Sequence, residues 1–189
     1  MSLRSTTRAW GWLLRTFHWG MLLILVVTIP LGLYMTDLPL GPYKVRMYAL
    51  HKSIGLSLLG LVLLRALWRA SESRPMEPPM PKWQSRVASA TAFSLYTLLF
   101  AIPLSGWLFN SAAGFPLSWF GITNLPPLTA TNPSLKIVAR ATHEFLAWTL
   151  MLLVALHAAA ALKHHFVDRD RTLSQMLPWL KNPESEPKK

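Results

Sequence analysis

No cysteine occurs in the chain. That absence removes disulfides, iron–sulfur clusters, thiolate-bound zinc and covalently attached c-type haem together. Acidic residues are also scarce, eight Asp and Glu against 19 Lys and Arg, so a tetrahedral zinc site has few ligands to draw on beyond histidine. Charged residues of either sign make up 14% of the chain, where a soluble domain carries about a quarter, and residence in a membrane is the first expectation. The net charge of +11 does not point to nucleic acid, because the basic residues flank apolar runs instead of covering one continuous face. There is no internal repeat and no low-complexity stretch.

Long apolar runs are what the chain has in quantity. Hydrophobic residues are 52% of the total and gather into four blocks, about 13–34, 47–68, 87–109 and 137–162. Each can cross a bilayer as a helix, which takes about 20 residues. The expected fold is all-α, a single transmembrane four-helix domain over residues 1–189. The first block follows Arg4, Arg8 and Arg15 as a secretory signal would, but it is too long and no A-x-A-like cleavage site follows, so it reads as a retained helix. Fourteen Lys and Arg fall on the side of the two termini and the second connection, against five on the other side, Lys44, Arg46, Lys52, Lys136 and Arg140. The positive-inside rule therefore predicts both termini in the cytoplasm. Trp10, Trp12, Trp68 and Trp83 then mark the inner boundary, and Tyr43, Tyr48 and Trp119 the outer one. Pro75, Pro78, Pro79 and Pro81 make 71–81 an extended cytoplasmic link. The segment 114–133, with Pro116, Pro126 and Pro127, is expected to lie over the outer face as a partial lid containing one short helical turn.

Ionisable side chains at membrane depth are costly, so the histidines are functional candidates. His143 and His157 lie fourteen residues apart on the fourth block. At about 100° per residue that interval falls about 40° short of four turns, which puts both on one face roughly 21 Å apart along the axis. His51 on the second block matches the outer level of His143, and His18 on the first matches the inner level of His157. Opposed imidazole pairs at two depths suit bis-histidine haem ligation inside a helix bundle. Taken singly, each histidine reads equally well as an interhelical hydrogen-bonding group. His164 shares the face of His157 and would replace it if the helix sat deeper; beside Lys163, Asp168 and Arg169, it and His165 are assigned to the cytoplasmic interface, with a haem propionate as the group they would meet. Gly55, Gly60 and Ala158 to Ala161 would pack around a flat macrocycle or, equally, against ordinary helices. Pro103 and Gly106 predict a kink in the third helix.

The stretches Phe17-His18-Trp19-Gly20, Leu50-His51-Lys52-Ser53-Ile54-Gly55 and Thr142-His143-Glu144, and above all Leu156-His157 through Lys163-His164-His165-Phe166, resemble the bacterial cytochrome b561 family over nearly the whole chain. The resemblance implies a dihaem membrane cytochrome of the bacterial inner membrane, with His18, His51, His143 and His157 as ligands of two haem b groups. Similar stand-alone members are superoxide oxidases, which pass electrons from superoxide at the outer face to ubiquinone. Some of those relatives carry a further histidine at the start of the third helix, where this chain has Ser89 and Ala92, which weakens any carry-over of the quinone site. A broader relative is the cytochrome b subunit of hydrogenases and formate dehydrogenases.

Two functions follow as expectations. In the first, Lys44, Arg46, Lys52, Lys136 and Arg140 form a positive funnel that attracts superoxide to the outer haem, or equally serve as propionate partners and anchors. Glu144 relays protons or orients a ligand imidazole, unless it is simply a solvated interfacial carboxylate, and Trp119 and Phe120 wall a quinone pocket. In the second, the chain is an electron carrier that docks to a dehydrogenase or a periplasmic redox protein and has no substrate of its own.

Overall fold

In a bilayer the backbone must satisfy its own hydrogen bonds, and apolar runs of this length do so as helices. The computed structural model describes residues 2–180 apart from Arg8, Arg74, Glu77 and Pro79. Arg8, Arg74, Lys181, Lys188 and Lys189 of the charge count and Pro79 of the link therefore lie outside the described residues. Four long helices dominate: α1 (Trp12–Asp37), α2 (Pro42–Ala70), α3 (Lys82–Ala112) and α4 (Pro133–Lys163), the last continued by one π-helical turn, His164–Asp168. All four are long and apolar enough to cross a membrane. They run past the apolar blocks because their ends are supported by polar chemistry. Pro42 and Pro133 open α2 and α4, where no amide donor is needed, and the Asn132 side chain accepts from the Leu135 amide at 3.0 Å. Pro30 and Pro103 both lie inside helices, in α1 and α3.

Consecutive helices pack side by side, α1 on α2, α2 on α3 and α3 on α4, with the last contact the most extensive; α4 has no comparable backbone contact with α1 or α2. The core is one central layer, built by Met21 and Leu25 of α1, Leu58 and Val62 of α2, Leu98 and Leu99 of α3, and Leu150 of α4. Much of the remaining apolar surface faces outward, including Leu23, Val26, Leu64, Phe93, Phe145 and Trp148. Water does not tolerate so continuous an apolar surface, but lipid does.

The two ends of the bundle are closed differently. At the end where both described terminal segments lie, Ser5 bonds the Glu72 carboxylate through its amide and hydroxyl, and the Trp68 indole donates to the other Glu72 oxygen at 2.9 Å. The Met76 amide donates to the Thr7 carbonyl at 2.9 Å, and Gln175 donates to the Met76 carbonyl at 3.2 Å. The proline-rich link is thus laced to both terminal segments.

At the far end the long connection forms an antiparallel hairpin, β1 (Leu117–Trp119) with β2 (Thr123–Leu125), in place of the expected helical turn. The physical reason is the turn between them: Phe120 and Gly121 both have positive φ, 49° and 73°, a conformation that closes a hairpin and breaks a helix. Side chains of α2 hold the hairpin down. Ser53 Oγ accepts from the Phe120 amide at 3.0 Å, Trp119 donates to Ser57 Oγ at 3.0 Å, and Lys52 donates to the Pro116 carbonyl at 3.0 Å.

Candidate functional site

One sequence interval organises the interior. His143 and His157 lie fourteen residues apart on α4, and the same interval separates His18 from Gly32 on α1 and His51 from Arg65 on α2. Because fourteen residues nearly complete four turns, each helix presents one face at two depths roughly 21 Å apart. The terminal-end level holds His18, His157 and Arg65, and the far-end level holds His51, His143 and Gly32. Leu150, halfway between His143 and His157, belongs to the apolar layer that separates the two levels.

The rings meet in pairs. His18 and His157 have centroids 6.2 Å apart, and His51 and His143 have centroids 6.3 Å apart, with the planes inclined by 64° and 79°. A direct imidazole-to-imidazole hydrogen bond would bring the centres to about 5 Å. Two metal–nitrogen bonds of about 2 Å, with about 1 Å from each nitrogen to its ring centre, put them about 6 Å apart. The observed spacing therefore fits a metal held between imidazoles. With two protein ligands per level, the remaining positions suit a planar macrocycle.

The far-end pair is shaped by backbone. A Cβ on Gly32 would stand 2.9 Å from Cε1 and 3.3 Å from Nδ1 of His51, and one on Gly106 would stand 3.0 Å and 3.2 Å from the same atoms of His143. Both glycines face the Cε1–Nδ1 edge, and Nε2 lies farther off, at 3.8 and 3.9 Å. His143 Nδ1–H donates to the Ile102 carbonyl at 2.9 Å, with Ser105 Oγ 3.2 Å away. That bond selects the tautomer whose Nε2 lone pair is free to bind a metal. His51 Nδ1 is buried without a hydrogen bond of ordinary geometry, and the Thr28 backbone is the acceptor beside it. Beside the pair runs a crevice lined by Gly55, Leu56, Pro103, Trp107 and Leu117, and at Gly55 and Gly60 an added Cβ would meet nothing within 4 Å.

The terminal-end pair has other neighbours. Trp19 sits edge-on to His18 with centroids 5.2 Å apart, and its indole donates to the Met176 carbonyl at 3.2 Å. The Arg65 guanidinium lies 5.2 Å from the centre of the Tyr96 ring, near enough to act electrostatically on both His18 and His157.

The remaining candidates are distributed around these pairs. Lys44 donates to the Thr36 and Leu38 carbonyls at 3.0 and 2.7 Å, which caps the end of α1. Lys52 bridges Asn110 and Pro116. Arg46 and Lys136 are exposed at the far end. Arg140 pairs with Glu144 at 2.8 Å one turn along α4, and both side chains are more than half exposed. The Glu144 carboxylate is thus bound to a guanidinium at the surface of α4, and the bond that orients the neighbouring His143 comes from α3 instead. His164 Nδ1 lies 2.7 Å from Asp170 and 3.1 Å from Asp168, while Lys163 bonds both oxygens of Asp168 at 2.9 and 2.7 Å. Burial acts to raise the Asp170 carboxyl, but hydrogen bonds from Thr172 and His164 hold it below the ordinary carboxylate value. His164, Asp168 and Asp170 bring their ligand atoms within 4.8 Å of one another, and Lys163 already pairs with Asp168. His165 keeps a buried Nδ1 without a partner. Arg65, Gly32 and Ser105 are absent from the candidates chosen by sequence. The fourteen-residue interval reaches the first two, whereas nothing local marks Ser105.

The chain matches the prokaryotic cytochrome b561 family over residues 9–179. It is 38% identical over 180 residues to "Cytochrome b561 homolog 2" of Escherichia coli K12, covering 94% of this chain and 95% of that protein. It is 31% identical over 163 residues to "Cytochrome b561 homolog 1" of the same organism, covering 85% and 92%. It is 29% identical over 164 residues to "Probable superoxide oxidase CybB" of Yersinia pestis, covering 85% and 91%. With four helices able to cross a membrane and a family match along nearly its whole length, the chain belongs to the prokaryotic cytochrome b561 family, bacterial membrane proteins that bind haem b and transfer electrons.

Proposed function

We propose that this protein is a single-domain dihaem cytochrome of the bacterial inner membrane, with both termini cytoplasmic, that moves electrons from superoxide at the outer face to ubiquinone. The observation that carries the reading is the pair of imidazole spacings, 6.2 Å for His18 with His157 and 6.3 Å for His51 with His143. Haem b supplies one-electron redox chemistry when bound, and two such centres match the two electrons that a quinone takes up. His143 is held by Ile102 with Nε2 free, Gly32 and Gly106 keep the far-end rings against the backbone, and the Leu150 layer excludes water between the levels. Arg46 and Lys136 raise the positive potential at the far end, which attracts a small anion. Trp119 and Phe120, held over α2 by Ser57 and Ser53, offer an apolar wall for a quinone ring. His164 and His165 flank the terminal-end level, at the proposed cytoplasmic face.

A second reading, an electron carrier that docks to a redox partner, draws on the engagement of Lys44, Lys52 and Arg140 with the protein itself, which leaves less free charge for a substrate. The test is the purified protein alone in detergent or liposomes with ubiquinone and a superoxide source. Quinone reduction that outpaces unaided dismutation supports the oxidase, and its absence from a preparation with full haem leaves the carrier.

A further inference from the structure

Arg65 is a cation inside the bundle with no anion beside it among the described residues. Its Nε is buried without a hydrogen-bond partner, as is the hydroxyl of Tyr96, whose ring face the guanidinium covers at 5.2 Å. Among the described residues no carboxylate lies within ion-pairing distance of Arg65. Glu72, an acid near the same end of α2, is occupied by Ser5 and Trp68. A charge at membrane depth is expensive unless it is paired or reaches water, and contact with an aromatic face returns only part of that cost. The Arg65 guanidinium lies against the Tyr96 ring of α3, near enough to act electrostatically on His18 and His157. Fourteen residues after His51, it is the group that α2 contributes to the terminal-end level.

We infer that Arg65 is the docking cation for a carboxylate of the group held between His18 and His157, a haem propionate, and that it raises the reduction potential at that level. The inference rests on the dihaem reading above. A guanidinium is planar, permanently charged and forked, and so matches a carboxylate in two-point contact. The haem brings its carboxylates to this depth without any acid from the chain, which accounts for a buried arginine that lacks an internal partner. A fixed positive charge nearby favours the state with one more electron, so removing it lowers the midpoint at this level. Arg65 is a positioning residue and takes no part in bond making.

The experiment is a spectroelectrochemical titration of the purified holoprotein with Arg65→Gln and Arg65→Lys, in which the terminal-end haem is identified as the component missing from His157→Ala. Arg65→Gln is expected to lower the midpoint of that component and leave the other in place, while Arg65→Lys stays close to the wild type. If Arg65→Gln loses the terminal-end haem and Arg65→Lys keeps it near the wild-type midpoint, the requirement for charge is supported. If both variants lose it, or if Arg65→Gln keeps both haems at unchanged midpoints, the pairing is overturned. Fewer than two haems in the wild type would overturn the dihaem reading itself, a separate outcome.

Discussion

The two histidine pairs have nearly the same centroid spacing, 6.2 and 6.3 Å, and almost nothing else in common. The far-end rings are pressed by two glycines, and one of them is locked by the Ile102 carbonyl. At the terminal end, an added Cβ on Gly20, two residues from His18, would meet only Leu61, at 3.8 Å; the neighbours there are Trp19 and a buried guanidinium. The helix period sets the depth of each pair, whereas the surroundings set how tightly each ring is held and what charge lies beside it. Close backbone distinguishes the far-end level, whose crevice Lys52 also lines, and a buried guanidinium distinguishes the other.

Removing a ring tests the comparison most severely. His51→Ala and His143→Ala should lose the far-end haem and keep the other, and His18→Ala and His157→Ala should do the reverse, as read by pyridine haem content and absorbance. Loss of both haems from each variant would show that the levels are not independent.

The glycines come next. Gly32→Ala and Gly106→Ala place a Cβ about 3 Å from a ring, as tight as 2.9 Å at Gly32, so the ring must turn. An overpacking cost of about 1–3 kcal/mol should fall on far-end haem retention alone, measured as haem loss on heating. Gly60→Ala, where nothing lies within 4 Å, is the control.

A smaller effect is expected at Ser105, which shares the Nδ1 proton of His143 at 3.2 Å with the closer Ile102 carbonyl. Ser105→Ala should loosen the far-end ring, with metal retention falling by no more than about the 10- to 100-fold typical of outer-shell partners. An effect at the terminal-end haem instead would undo the distinction between the levels.

The smallest effect concerns the terminal-end cap. Because the Asp170 carboxyl is held below its ordinary value, its contribution to stability is present at neutral pH and is lost as acidification protonates it. Asp170→Asn should flatten the acid limb of thermal stability and leave the neutral haem spectrum unchanged. An unaltered acid limb would remove this carboxylate from the cap's pH dependence.

The all-α membrane class was legible because a bilayer leaves an apolar run of this length one backbone solution, and the four helices overrun the apolar blocks by only a few residues. The depth match of the four histidines was also legible, since depth along a helix is a count of residues. The hairpin was not, because its positive-φ turn at Phe120-Gly121 is stabilised by Ser53 and Ser57, more than sixty positions away in the chain. The engagement of Lys52 with Asn110 and Pro116 was hidden for the same reason, whereas Glu144 finds Arg140 one turn away and Lys44 caps carbonyls six and eight positions back.

By itself, then, the sequence determined four spans, the fourteen-residue interval that gives three helices one face at two depths, and the supply of histidine in a chain without cysteine. Tertiary structure alone decided which rings oppose each other, that α3 supplies the acceptor fixing His143, that backbone at Gly32 and Gly106 closes on the far-end rings, and that Arg65 lies against Tyr96 with no carboxylate beside it among the described residues. The physical reason is that helical period is a local property of one segment, whereas the rotation and separation of neighbouring helices follow from how all their side chains pack together.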